Sequence, residues 1–151
     1  MNTVRQLLQA KGHDIWAISP DATVLDALKL MADKNIGAVL VIDHGNLVGI
    51  LSERDYARKV ILKGKSSKDT PVREIMTDKV VCVRPDQTVE ECMALMTGKH
   101  IRHLPVLEDG QLVGVISIGD AVKAIIANQA FTIESLEKYI LGSVSLTTGT
   151  P

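Results

Sequence analysis

Aromatic residues are scarce: Trp16, Tyr56, Phe131 and Tyr139 are the only four in 151 residues. That is too few for the stacking platforms that hold single-stranded nucleic acids. Neither sign of charge is in excess. The 17 Lys and Arg stand against 18 Asp and Glu, a formal net charge of −1, so neither a nucleic-acid surface nor a binder of anionic membranes is indicated. Long apolar runs are missing too. None exceeds five residues; Ala38 to Ile42 is strand-sized and far short of the roughly 20 residues that cross a bilayer. The stretch from Met1 to Leu8 holds no continuous apolar segment of signal-peptide length, and the expected compartment is the cytoplasm. The two cysteines, Cys82 and Cys92, form no C-x-x-C pair. Each lies in an apolar pattern and is expected to be a buried, inert thiol, with a redox or disulfide role as the alternative.

Catalytic motifs are equally hard to find. His13, His44, His100 and His103 form neither H-x-x-x-H nor H-E-x-x-H, and no Cys/His spacing suits zinc. No Gly-x-Ser-x-Gly elbow is present. Gly45-x-x-x-Gly49 falls in a hairpin without the following Lys-Ser/Thr of a phosphate loop. The expectation is a protein that is not an enzyme and carries no metal or cofactor.

What the sequence does contain is one unit written twice. Adding 65 to the numbering from Ile15 to about Tyr56 reproduces the second half without a gap. Pro20-Asp21-Ala22-Thr23-Val24 becomes Pro85-Asp86-Gln87-Thr88-Val89. Gly45-Asn46-Leu47-Val48-Gly49 becomes Gly110-Gln111-Leu112-Val113-Gly114, and Ser52-Glu53-Arg54-Asp55 becomes Ser117-Ile118-Gly119-Asp120. Upstream, Val4-Arg5-Gln6-Leu7-Leu8 matches Val72-Arg73-Glu74-Ile75-Met76 at an offset of 68, so a three-residue insertion lies near Lys11-Gly12-His13.

Each unit has the pattern strand, helix, strand, strand, helix. Short strands are expected near residues 15–17 and 80–83. Thr23-x-x-Asp26 and Thr88-x-x-Glu91 open helices through capping boxes. Val24, Ala27, Leu28 and Met31, repeated as Val89, Cys92, Met93 and Met96, give those helices one apolar face. Two strand-like runs follow across a Gly-containing break, a hairpin signal, and further helices start at Ser52 and Ser117. A three-stranded sheet covered by two helices is too thin alone, so the expected fold is α/β (α+β), two units packed sheet to sheet around a shared core. The expected division is a first repeat with its lead-in helix over residues 1–66 and a second over 67–128. A separate amphipathic helix (133–141) and a frayed tail (142–151) would complete the chain. Residues 63–71, polar and ending in Pro71, form the linker.

These repeated residues closely resemble the cystathionine β-synthase (CBS) domain family. Its signature is Pro-x-x-Thr-Val, a Met-bearing helix, an apolar strand, Gly-x-Leu-Val-Gly-Ile/Val and Ser-x-x-Asp. The Val72-Arg73-Glu74-Ile75-Met76-Thr77 lead-in and Arg102-His103-Leu104-Pro105-Val106 are similar to the family as well, and the likeness spans about residues 3–126. It implies a Bateman module: two repeats about a pseudo-twofold axis, with a cleft on each side. Such modules commonly bind AMP, ADP, ATP, NAD or S-adenosylmethionine and often form disc-like homodimers. The chain holds almost nothing besides the pair, so an unidentified regulated partner would be reached in trans, with no nucleic acid and no membrane involved. The alternative is a dimeric interaction scaffold with vestigial clefts.

The candidate site residues carry two readings each. Ser52-x-x-Asp55 and Ser117-x-x-Asp120 have the spacing of capping boxes. The resemblance implies that Asp55 and Asp120 also accept the two ribose hydroxyls, a task suited to a carboxylate's two oxygens. Ser52 and Ser117 would face ribose or phosphate at helix N-termini. Arg54 has Gly119 as its counterpart, so the clefts differ in charge. Arg102 and His103 are either solvated at a strand start or phosphate ligands, of a cleft that sequence does not assign. Lys34 and Lys99 at helix ends are explained by the helix dipole alone. By the resemblance, the adenine would meet Ile15, Trp16, Ala17, Ile36, Gly37 and Ala38 in the first cleft. In the second it would meet Val80, Val81, Cys82, Ile101, Leu104 and Pro105. For each of these, ordinary core is the competing reading; Trp16 would stack on a base or plug its cleft.

Overall fold

A computed structural model describes residues 2–144, with side chains through residue 140. The chain runs α1 (Val4–Lys11), β1 (Ala17–Ile18), α2 (Val24–Lys34), β2 (Ala38–Asp43), β3 (Asn46–Ser52) and α3 (Glu53–Tyr56), which continues into π-helical turns over Ala57–Ile61. It goes on through α4 (Val72–Ile75), α5 (Val89–Lys99), β4 (His103–Glu108), β5 (Gln111–Ser117) and α6 (Ile118–Val144).

Local chemistry sets these boundaries. Thr23 and Thr88 cap α2 and α5, each hydroxyl accepting from the amide three residues on, while the acid there accepts from the threonine amide. Asn35 and His100 end those helices in the left-handed conformation, φ 54° and 55°. Both hairpins turn on two residues with positive φ, His44-Gly45 and Asp109-Gly110. That is the type I′ arrangement, which matches the strand twist.

The repeats form separate sheets. One has the order β1-β2-β3, with β1 parallel and β3 antiparallel to β2; the other is the β4-β5 hairpin. The strand expected over residues 80–83 contracts to one parallel bridge, Val83 to Val106. Its counterpart is a two-residue strand shifted to Ala17–Ile18. The helix expected over 133–141 is the end of α6, one continuous rod from Ile118, since no proline or αL residue interrupts it. Residues 142–144 belong to that helix, and the rest of the expected frayed tail lies outside the described residues.

The expected shared core is corrected by the structure: each sheet has its own. Val24, Ala27, Met31, Val39, Val41 and Leu51 pack with Val72 and Ile75 of α4. Val89, Cys92, Met96, Leu104, Val106 and Ile116 pack with Val4, Leu7 and Leu8 of α1. Each lead-in helix therefore packs into the core of the other repeat. Two glycines make room for this exchange. A Cβ on Gly114 would lie 2.7 Å from Leu8 Cδ2, and one on Gly49 would lie 2.6 Å from Met76 Sδ. The exchange interlocks the repeats and sets the walls of the clefts between them.

Candidate functional site

Ser52 ends β3 and caps α3; Ser117 ends β5 and precedes α6. The expected capping boxes form. Ser52 N donates to Asp55 Oδ2 at 3.0 Å and Asp55 N to Ser52 Oγ at 3.1 Å. Ser117 N donates to Asp120 Oδ2 at 2.8 Å and Asp120 N to Ser117 Oγ at 3.2 Å. In both boxes a single carboxylate oxygen serves the cap. Oδ1 of Asp55 receives the Thr77 hydroxyl at 3.4 Å and stands 3.2 Å from Lys59 Nζ.

Beside Asp55 opens a cleft of about 920 Å³, within the range of small-molecule sites. Its wall from the other repeat exists because the chain after α4 runs along β3: Thr77 N donates to Ile50 O (2.9 Å) and Ile50 N to Thr77 O (3.0 Å). That pairing brings Val80 and Val81 opposite Asp55. Ile50, Ile101 and Ile118 complete the apolar lining, with Gly37 and Gly119 leaving space. The polar lining is strongly cationic. Arg54, Arg58, Lys59, Lys79, Lys99 and Arg102 face only Glu53 and Asp55 among the acids. In a chain of net charge −1, this is a local concentration of positive charge that focuses anions. Arg54 Nη1 donates to His100 O at 2.8 Å, tying α3 of one repeat to the end of α5 of the other.

The structure thus gathers Ser52, Arg54, Asp55, Gly37, Val80, Val81, Ile101, Arg102, His103 and Ser117 at one cleft. Members of both apolar sets meet there: Gly37 of the first, with Val80, Val81 and Ile101 of the second. The cause is the crossing of the lead-in segments, which sequence spacing does not reveal. Other candidates lie elsewhere. Leu104 and Pro105 are buried inside β4, Leu104 within the second core. Ile36 packs against the first core, and Ala38 opens β2, paired with Ser52. Ile15 is half-buried and Ala17 exposed, neither lining this cleft. Trp16 does not line this cleft; it is 38% exposed, with Lys34 Nζ 4.3 Å from its ring centroid, a cation–π contact. Cys82 is half-buried behind Val80 and Val81, and burial raises its thiol pKa. Cys92 lies in the core, its thiol pushed up to about 11, chiefly by burial.

Asp120 does not line this cleft. Its Oδ2 is 2.6 Å from Lys11 Nζ. Burial pulls the Asp120 carboxyl upward, but the Lys11 ammonium and the Ser117 donors outweigh it and hold the group below the usual carboxylate range. His103, between the two carboxylate sites, is held low by burial first and by the Lys11 charge second, with Asp120 opposing; it therefore favours the neutral imidazole. Residues absent from the sequence expectation include Thr77, Arg58, Lys59, Lys79 and Lys11. The i, i+4 spacing of Asp55 with Lys59 and of Arg54 with Arg58 was a visible signal; nothing local marks Lys11.

Among the described residues no group of three or more His, Cys, Asp or Glu has a metal-binding arrangement, and no helix is long and apolar enough to cross a membrane.

Comparison with known proteins agrees with the duplicated architecture. The family described as CBS domain matches residues 5–61 and again 72–127. The CBS domain-containing protein CBSX3, mitochondrial, of Arabidopsis thaliana is 40% identical over 150 residues, covering 93% of this chain and 72% of the relative. The solved structure of a CBS-domain protein from Burkholderia ambifaria MC40-6 superposes with a TM-score of 0.83 at 55% identity, covering 85% of this chain and 96% of that one. The CBS domain pair of protein MJ0100, solved with 5′-methylthioadenosine and S-adenosyl-L-methionine, superposes at 0.75 with 25% identity over 85% of this chain and 98% of that one. With two matched repeats, interlocked lead-in helices and a cleft between the units, the chain belongs to the CBS domain family as a tandem pair.

Proposed function

We propose that this protein is a regulatory module that binds an adenine nucleotide in the Asp55 cleft and passes its occupancy to a partner protein in trans. The observation that carries this reading is the division of labour around the cleft: an apolar lining, one ribose-competent carboxylate and a surplus of cations. Adenine would lie against Ile50, Val80, Val81 and Ile101. Asp55 would accept the ribose diol through Oδ1 while Oδ2 stays in the cap. Arg54, Arg102, Lys59 and their neighbours would hold phosphates. The adenosyl ligands of the MJ0100 pair support the ligand class. The cleft charge favours phosphorylated members (AMP, ADP, ATP or NAD) over the sulfonium cation S-adenosylmethionine. No residue acts as nucleophile or acid–base pair in this scheme, so the role is regulatory. Ligand bridging the repeats would select one arrangement of them, and a partner sensing that arrangement must in turn alter nucleotide affinity by the same factor.

Calorimetric titration of nucleotide-stripped protein tests this. Affinity should rise from AMP to ATP, weaken with salt, and fall roughly 100-fold in Asp55→Ala, the loss of about two hydrogen bonds to a charged group. Folded protein that gives no heat and no thermal stabilisation with any of these ligands would sink the reading and leave the scaffold alternative in front.

We also propose that the chain self-associates through α6. Ile126, Ile133 and Ile140 recur every seven residues with Leu136 between them, and each is 56–59% exposed. β-branched residues at that seven-residue spacing, with Leu136 between the last two and Gln129 between the first two, form a short seam suited to pairing with a second α6. Sedimentation should give a dimer that Ile133→Lys converts to monomer; a monomeric native protein at micromolar concentration would refute it.

A further inference from the structure

Outside the Asp55 cleft most cations face an acid, Arg5, Lys11, Lys65, Arg73 and Arg84 among them. Inside it only Lys59 does, through Asp55. Arg54 spends a donor on the His100 carbonyl. Arg58, Lys79, Lys99 and Arg102 have neither an ion pair nor a hydrogen bond among the described residues, and all four are exposed. They come from separate stretches: Arg58 follows α3, Lys79 lies on the chain after α4, Lys99 ends α5 and Arg102 precedes β4. The packing of the two repeats brings them to one cleft. Cations gathered without counter-charges repel one another, and an anion with several charges relieves all of them at once.

The acids of the cleft narrow the kind of anion. Mg2+ on a nucleotide is held by phosphate oxygens together with one or two carboxylates. Asp55 has Oδ2 in the cap and Oδ1 on Thr77 and Lys59, which leaves Glu53 alone among the lining acids. A metal already on the phosphates would cancel part of the charge that the cations meet, and would itself stand among them.

We propose that this cluster is a subsite for a polyphosphate free of divalent metal, so that Mg2+ opposes binding instead of assisting it. The subsite extends the nucleotide reading above, but it does not need the adenine.

The test is calorimetric titration of the stripped, full-length chain with ATP, in metal-free buffer and then with excess Mg2+ at matched ionic strength. If cleft and metal compete for the same phosphates, the apparent Kd climbs with free Mg2+, roughly 100-fold at 100 times the metal's own dissociation constant for ATP. A rise of at least about tenfold under that condition is expected; a smaller rise, no change or a tightening would overturn the proposal. The double variant Arg58→Ala/Lys99→Ala removes two exposed side chains and should keep the native Tm. It should weaken metal-free ATP by at least about tenfold and narrow the gap to the metal complex; an unchanged affinity would place the phosphates elsewhere and overturn the subsite. Where ATP gives no heat, sodium tripolyphosphate decides. Its binding, opposed by Mg2+, would end the adenine reading and leave the subsite standing, and silence from both ligands would end both.

Discussion

Truncating Leu8 should weaken the second repeat, although Leu8 belongs to the sequence of the first. Its side chain is 1% exposed and packs with Val89, Cys92, Met96 and Ile116. Buried Leu→Ala changes cost roughly 2–5 kcal/mol, and a site walled by the rigid β4-β5 hairpin has little scope to collapse, so about 3 kcal/mol is expected. At roughly 3–4 °C per kcal/mol for a chain near this length, the Tm should drop by about 10 °C. Native-state hydrogen exchange locates the damage: amides of β4, β5 and α5 should lose protection before those of β2, β3 and α2. A double-mutant cycle sharpens the assay. Gly114→Ala alone drives a methyl to 2.7 Å from Leu8 Cδ2, an overpacking cost of about 1–3 kcal/mol. In the Leu8→Ala background that methyl enters the vacated space, so the two changes should be markedly non-additive. Additive effects, or protection lost from β2 and β3 with β4 and β5 intact, would refute the exchange of lead-in helices.

Half-buried His103, which favours the neutral imidazole, makes stability depend on pH. Its folded pKa lies below the ordinary value near 6.5, so as pH falls through that value the unfolded chain takes up the proton first and stability declines. Denaturant titrations from pH 7 to 5 should show this decline, and His103→Gln should make it shallower. The thiols should separate kinetically: Cys92, buried and held near 11, should resist a disulfide reagent in the native state, and half-buried Cys82 should react ahead of it. Replacing Thr23 or Thr88 by Ala should cost about 1 kcal/mol each by loss of the cap, measurable in urea midpoints; an effect below about 0.3 kcal/mol in both would show that these caps do not hold their helices.

Much of the molecule was legible in the sequence because its signals are local. Thr23 and Thr88 mark helix starts through hydrogen bonds that close within four residues. The heptad-like spacing of Val24, Ala27 and Met31 marks a buried face, and Gly45 and Gly110 mark hairpins that require positive φ. The duplication, the family and the positions of Asp55 and Asp120 followed from such features. The same locality explains the failures. The strand expected at residues 80–83 pairs with β4 at a single residue, Val83 with Val106, because the segment before it turns into the cleft wall instead. The helix expected at 133–141 could not be told from the end of one beginning at Ile118.

The sequence by itself determined the repeat, the caps, the turns and the chemical groups available for a ligand, all of which depend on spacing along the chain. Tertiary structure alone decided which wall faces which carboxylate. The lead-in helices cross because Val4, Leu7 and Leu8 bury against the second sheet, and Val72 and Ile75 against the first. Burial is non-directional along the chain and rewards whichever apolar face fits. That crossing carries Val80 and Val81 to Asp55 and Lys11 to Asp120, so identical Ser-x-x-Asp motifs end in unlike sites.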